Sequence, residues 1–240
     1  MLEYTVLKRD WRKFLALTGL TVKEFKLLLV AFGKAYRQTY ISGKTLAGRK
    51  RKRRLGGGRR GQLVTLEQKL LFILVYQKTY PLQVVMGELF GMTQAAANQW
   101  IHRLLPVLQK ALKAIGVLPE RDGSKFARSE RRQSEPANYI IDGTERRRQR
   151  PKNAEKQALY YSGKKKVHSD KNVVIANTRS KRVGYLSPTY AGKKHDKKIA
   201  DEEHIAYSRK VVLYKDTGFQ AYEPRVQQTH QPKKNHAART

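Results

Sequence analysis

The apolar residues of this chain change their period near residue 116, and that change limits the fold more than any other feature. Upstream, from Trp11 to Tyr36 and from Thr65 to Leu112, they recur at helical spacing. Downstream, Tyr139-Ile140-Ile141, Lys166 to Ile175, Val183 to Leu186 and Val211 to Tyr214 are β-branched or aromatic runs of strand length, bounded by glycines, prolines and polar clusters. Between the third and fourth runs, His195 to Tyr207 has the composition of a helix. The order strand, strand, strand, helix, strand predicts an α/β part that opens with a meander and follows an all-helical part.

Charge says what such a chain meets. Its 51 Lys and Arg against 19 Asp and Glu leave a net charge of +32, which points to a polyanion. Hydrophobic residues at 40% and aromatics at 9% exclude a purely disordered basic tail. Composition alone leaves open a ribosomal-type or architectural protein that only coats RNA or DNA. The absence of cysteine excludes disulfides, a Cys-ligated zinc and a thiol nucleophile. The apolar run Leu70 to Tyr76 is far shorter than the roughly 20 residues of a spanning helix, and Met1-Leu2-Glu3-Tyr4 opens no signal peptide. A soluble, cytoplasmic, nucleoid-associated protein with no membrane partner is the expectation.

The helical part, residues 1–115, predicts two short helices before Tyr36, with Thr21 capping the second. Residues 48–61 (GRKRKRRLGGGRRG) hold eight basic residues and three consecutive glycines, so they cannot pack a core. They read either as a solvated linker or as an arm in which Arg49, Lys50, Arg51, Lys52, Arg53 and Arg54 contact phosphates. Leu66, Leu70, Leu71 and Leu74 then form one stripe, and Leu82, Val85 and Leu89 another. Pro81 suits the first turn of a helix, Gly91 suits its end, and Thr93 can cap the next. Helix, tight turn, helix over about residues 80–105 is the helix-turn-helix layout. In its second helix Ala97, Ile101 and Leu104 face inward, while Gln94, Asn98 and His102, with Arg103 beside them, form a candidate DNA-reading face. Asn and Gln present the donor and acceptor that match adenine in the major groove. The same pattern also fits a helical hairpin with a polar outer face.

Residues 116–137 form a polar, basic stretch predicted to link the two parts, and 138–232 hold the strands. Asp142 directly follows one strand and precedes Gly143-Thr144; Asp216 follows another and precedes Thr217-Gly218-Phe219. If these strands are neighbours the carboxylates converge, and a hard divalent cation such as Mg²⁺ (or Mn²⁺) takes oxygen ligands of this kind. As bare dipeptides, these motifs are also common turns.

Four blocks carry a specific resemblance: TYPLQVVMGELFGMTQAAANQWIHRLLPVL, IIDGTERRRQRPKNAEKQALYYSGKKKVHSDKNVVI, TYAGKKHDKKIADE and YKDTGFQAYEP. With them the chain resembles, from about residue 5 to about residue 232, a transposase of insertion-sequence family five: a helix-turn-helix of the DDE superfamily followed by a DDE endonuclease domain. The implied architecture is α + α/β, a helical helix-turn-helix domain followed by an incomplete ribonuclease H-like DDE domain. The resemblance assigns Asp142 and Asp216 as the first two catalytic, metal-ligating aspartates. His195-Asp196 resembles a pair that the family carries before its second aspartate, with Asp196 read as a helix cap. Tyr161, Lys164, Lys165, Lys166 and His168 match a block whose basic side chains either face DNA or blunt an edge strand.

The family places a glutamate on a helix well beyond the second aspartate. Here the only acidic residue after Asp216 is Glu223, directly before Pro224. The expectation is therefore a chain truncated before its third carboxylate, with 233–240 an out-of-frame tail. Two functions compete. One is a transposase that binds terminal inverted repeats and target DNA, duplex in both cases, as a homo-oligomer and performs metal-dependent strand cleavage and transfer. The other is a DNA-binding regulator or inactive remnant that holds the repeats without catalysis.

Overall fold

The computed structural model describes residues 1–41, 49–50, 61–130 and 138–232. The chain divides into two compact units, Met1–Val117 and Leu118–Thr240.

The first unit is helical. It contains α1 (Tyr4–Leu7), α2 (Trp11–Thr18), α3 (Val22–Tyr36, running into a π-helical turn at Arg37–Ile41), α4 (Leu66–Thr79), α5 (Gln83–Phe90) and α6 (Gln94–Ala114). Its boundaries follow from local chemistry. Asp10 caps α2, and Thr21 and Glu24 form a reciprocal capping box at α3. Thr65 caps α4, and Thr93 caps α6. Gly19 and Gly91 end α2 and α5 in the left-handed conformation that glycine adopts without strain. The core gathers Phe14, Phe25, Phe32, Phe72 and Phe90 with the aliphatic residues of α4. Phe14 meets Phe25 edge-on at 5.3 Å, and Phe72 meets Phe90 at 4.9 Å.

Two expectations need correction here. The α4 stripe is a belt: Leu70, Leu71, Phe72, Ile73, Leu74 and Val75 are all buried, as in a helix surrounded by its neighbours. On α5 the buried residues are Met86, Gly87 and Phe90, whereas Leu82 and Val85 are exposed. Pro81 lies outside α5, because Tyr80 turns the chain in the left-handed region and Leu82 is the cap residue.

The second unit is a mixed sheet with helices. Its elements are α7 (Phe126–Glu130), β1 (Asn138–Arg147), α8 (Ala154–Tyr160), β2 (Tyr161–Ser162), β3 (Val167–Asn177), β4 (Val183–Leu186), β5 (Tyr190–Ala191), α9 (Asp196–Glu202), β6 (Val212–Lys215) and β7 (Gln228–His230). The sheet runs β2-β3-β1-β6-β7. Antiparallel β1, β3 and β4 make the expected meander; β2, β5 and β4 share the other edge of β3 in succession. After α9 the chain returns as β6, parallel to β1, and β7 is parallel to β6.

Alternation along the strands sets the faces. Tyr139, Ile141 and Leu213 point into a core with Phe126, Val173, Ile175, Tyr185, Ile199 and Phe219, while Ile140 and Tyr214 are exposed on the opposite face. Phe126 lies in the stretch read from sequence as a polar connection, yet it packs edge-on against Tyr139 at 5.5 Å. That stretch also joins the sheet: Glu120 donates its N–H to Gly184 at 2.8 Å and accepts from Leu186 at 3.0 Å.

Candidate functional sites

The helix-turn-helix face is built from one short stretch of chain. Turn closure depends on Gly87: a Cβ there would stand 2.5 Å from the Met92 carbonyl oxygen, and the Met92 N–H donates to the Gly87 carbonyl at 2.9 Å. On α6, Ala97, Ile101 and Leu104 are buried as the spacing requires. Gln94, His102 and Arg103 are exposed, and Asn98 is half-buried. Asn98 donates to Gln83 Oε1 of α5 at 3.0 Å, so one amide hydrogen is used inside the motif. Gln99 is exposed on the same side of α6, and sequence spacing alone did not single it out. The Arg103 guanidinium lies 5.8 Å from the Trp100 ring centroid, and its carbonyl accepts from the Tyr40 hydroxyl at 2.9 Å.

Beside this motif, Lys69 is buried at the start of α4. Its Nζ donates to the carbonyls of Leu63 at 2.6 Å and Val64 at 2.8 Å, and it lies 5.5 Å from the Tyr36 ring and 5.6 Å from that of Trp100. Burial pushes its ammonium below the ordinary lysine value. This contact ties down the segment that follows the basic stretch 48–61. Of that stretch, Arg49 and Lys50 are exposed; Arg51, Lys52, Arg53 and Arg54 lie outside the described residues.

In the second unit, strand pairing unites the two aspartates. Ile141 is in register with Lys215 across the parallel pair β1 and β6. Asp142 and Asp216 are therefore the next positions of adjacent strands, at the carboxyl end of β6, where open α/β sheets expose ligand sites. Asp142 does not follow its strand as the run Tyr139-Ile140-Ile141 suggested: β1 continues through it to Arg147, because residues 142–147 pair with β3. Asp142 is exposed and accepts the Gly143 N–H at 2.8 Å. Asp216 is half-buried and accepts the Gly218 N–H at 2.9 Å, while its carbonyl accepts from Gln231 Nε2 at 2.6 Å. Below it, Lys215 is buried; its Nζ donates to the Tyr222 carbonyl at 2.5 Å and lies 3.6 Å from Glu223. Glu223 itself is exposed and occupied with this lysine.

The glycines after the two aspartates have a tertiary purpose. A Cβ on Gly143 would stand 2.4 Å from Asp196 Oδ1. One on Gly218 would stand 3.1 Å from Asp196 Oδ2 and 3.0 Å from Asp216 Oδ1. Asp196 thus fills the space that the two glycines leave. The helix-cap reading of Asp196 gives way to this placement: His195 is the cap residue of α9, and its side chain makes no capping bond. Asp196 instead holds its buried Oδ1 3.2 Å from Lys171 Nζ as an ion pair.

Lys171 also pairs with Glu145 Oε1 at 3.3 Å and donates to the Lys194 carbonyl at 2.8 Å. Burial alone would raise the Glu145 carboxyl, but hydrogen bonds from Ser162 and Ser169 and the Lys171 charge outweigh it and hold the group below the ordinary glutamate value. Lys164, Lys165 and Lys166 are exposed in the turn between β2 and β3, not on a strand as the β-branched run suggested. Lys166 is left-handed there, and its N–H donates to the Ser162 carbonyl at 2.7 Å.

Among the described residues no three His, Asp or Glu side chains gather as a metal site. The oxygen donors of Asp142 and Asp216 are nevertheless the kind a hard cation accepts when it keeps several waters. No helix among the described residues is long and apolar enough to cross a membrane.

Comparison with known families places both sites in context. Residues 61–114 match the family described as helix-turn-helix of DDE superfamily endonuclease, and residues 141–239 match that described as DDE superfamily endonuclease. The second match continues to residue 239, into the stretch 233–240 expected from sequence to be an out-of-frame tail. No curated protein and no solved structure matched the chain. DDE endonuclease domains generally use divalent metal ions. The two matches, one on the helical unit and one on the sheet unit, support a DDE-superfamily transposase or endonuclease with an N-terminal helix-turn-helix region.

Proposed function

We propose that this chain is a transposase of the insertion-sequence family five type, which binds the inverted repeats of its element through α5 and α6 and cuts DNA strands at Asp142 and Asp216. The observation that carries the reading is the register of parallel β1 and β6, which sets Asp142, within β1, beside Asp216, directly after β6. In this reading Gln94, Asn98, His102 and Arg103 approach bases in the major groove, with Arg49, Lys50 and the lysines at 164–166 on phosphates. Asp142 and Asp216 hold Mg²⁺ or Mn²⁺, which when bound supplies a Lewis acid toward the scissile phosphate. The Gly143 and Gly218 amides orient one oxygen of each carboxylate and leave the other for the ion. The functional form is a homo-oligomer on duplex DNA that engages both element ends and target.

One observation favours a second reading, a regulator that occupies the repeats without cutting: the aspartate pair has no third acidic ligand gathered beside it among the described residues. A nicking assay on duplexes carrying the inverted repeats, with and without Mg²⁺, separates the two. Metal-dependent nicks that vanish in Asp142→Asn support the transposase. Repeat binding with no nick at any metal concentration overturns it in favour of the regulator.

A further inference from the structure

On the side of β3 that carries Lys171, the second unit has a cleft of about 820 Å³. Its walls come from α8, the β2–β3 turn and the connection from β5 into α9. We propose that this cleft binds an unpaired, phosphate-bearing nucleotide of the DNA strand beside the aspartate pair. The inference rests on the DNA-cutting reading above and adds a substrate feature to it.

Three observations carry it. The first is charge. Arg150, Lys164 and Lys193 line the cleft, and among the described residues none has an ion-pair partner; Arg150 donates only to the neutral amide of Gln157, at 2.8 and 3.0 Å. The fourth cation, Lys171, lies on the floor already matched by Glu145 and Asp196. The single carboxylate excess of that floor is outnumbered by the three rim cations, so the cleft favours an anion.

The second is shape. The volume falls within the about 300–1,000 Å³ of sites that enclose a small ligand. A site of this volume matches a single nucleotide and not a length of duplex. Tyr161 stands at the wall, 41% exposed, braced edge-on by His168 at 5.6 Å. An exposed ring beside cations is the element that single-strand binding sites use to stack a base while the backbone is neutralised.

The third is position. Gly218 and Asp196 belong to the lining, and the same Gly218 donates its N–H to Asp216. A nucleotide in the cleft therefore lies next to one of the two carboxylates.

The test uses the full chain without added metal, so that binding is read apart from cleavage. A fluorescent tetranucleotide is titrated at about 200 mM salt, where contacts that are only electrostatic have weakened steeply. Tyr161→Ala is expected to weaken binding about tenfold, Tyr161→Phe to restore it, and Lys193→Ala to weaken it severalfold. Lys152→Ala, exposed outside the cleft, leaves it unchanged. A 2-aminopurine in the tetranucleotide is quenched on binding the unaltered protein, a readout independent of whether Tyr161→Ala folds. Unquenched 2-aminopurine, affinity unmoved by Lys193→Ala, or displacement by inorganic phosphate at the concentration at which a mononucleotide displaces would each overturn the proposal. Metal-dependent nicking of the repeats reports on the aspartate pair alone, so either idea can fail while the other stands.

Discussion

The two units solve the same problem, presenting side chains to DNA, by opposite means. In the helical unit the candidate reading face occupies one side of a single helix, and Gly87, Gln83 and Thr93, which shape it, lie within the same short stretch, with Tyr40 adding one contact from afar. In the sheet unit strand register sets Asp142 and Asp216 side by side from distant places in the chain, and Asp196 of α9 packs against the glycines that follow them. A site of the first kind tolerates change elsewhere in its unit. A site of the second kind depends on the sheet and on buried charges behind it.

The sharpest break of this contrast is chemical. Asp142→Asn or Asp216→Asn should lower metal-dependent nicking at least about 10²-fold, the scale of removing one preorganised electrostatic group, while binding to duplex repeats measured by anisotropy stays as it was. Loss of binding in either variant would mean that the two sites are not separable.

Next come two glycines, one in each unit, that leave no room for a Cβ. Gly143→Ala drives a Cβ onto the Asp196 carboxylate, and Gly87→Ala drives one onto the Met92 backbone carbonyl. Each should destabilise its own unit by about 1–3 kcal/mol, seen by calorimetry as a shift of one transition and not the other. Gly143→Ala should abolish nicking and spare repeat binding; Gly87→Ala should do the reverse.

Effects that leave each site's overall function in place follow on each side. Gln94→Ala or His102→Ala should cost about 1–3 kcal/mol of discrimination between repeat and unrelated duplex, with little change in non-specific binding. Lys69→Met leaves the Leu63 and Val64 carbonyls without their donor, for about 1–3 kcal/mol at the melting of the helical unit.

The mildest is a pH dependence. Glu145 is held below its ordinary value in the folded chain, so its contribution is complete above the unfolded glutamate value and is lost as pH falls through the lower folded one. The stability difference between the protein and Glu145→Gln should therefore be largest near neutrality and vanish in acid. A difference that persists in acid would assign the role of Glu145 to packing and not to charge.

The helical unit was the more legible. Thr21, Thr93 and Gly91 announce their caps because capping is decided by one side chain and the nearest amides. The errors there fell on faces: Leu82 and Val85 look like a core stripe but are exposed, since periodicity does not say which side of a short helix meets its neighbours. In the sheet unit the main strands and α9 were readable from β-branched runs and turn residues, whereas the two- and three-residue strands β2, β5 and β7 were not. Such segments carry too few residues for alternation to show, and only pairing with β3 or β6 makes them strands.

By itself the sequence determined the division into a helical and a strand-bearing half, the caps, the strongly basic charge and the aspartate that follows β6, all of which depend on residues adjacent or a turn apart; that β1 runs on through Asp142 it did not show. Tertiary structure alone decided that Asp142 and Asp216 are neighbours, that Gly143 and Gly218 are small to admit Asp196, and that Lys171 is neutralised from both sides. Those relations join residues with no fixed spacing in the chain, because strand pairing and side-chain packing, not local backbone geometry, set the distances between them.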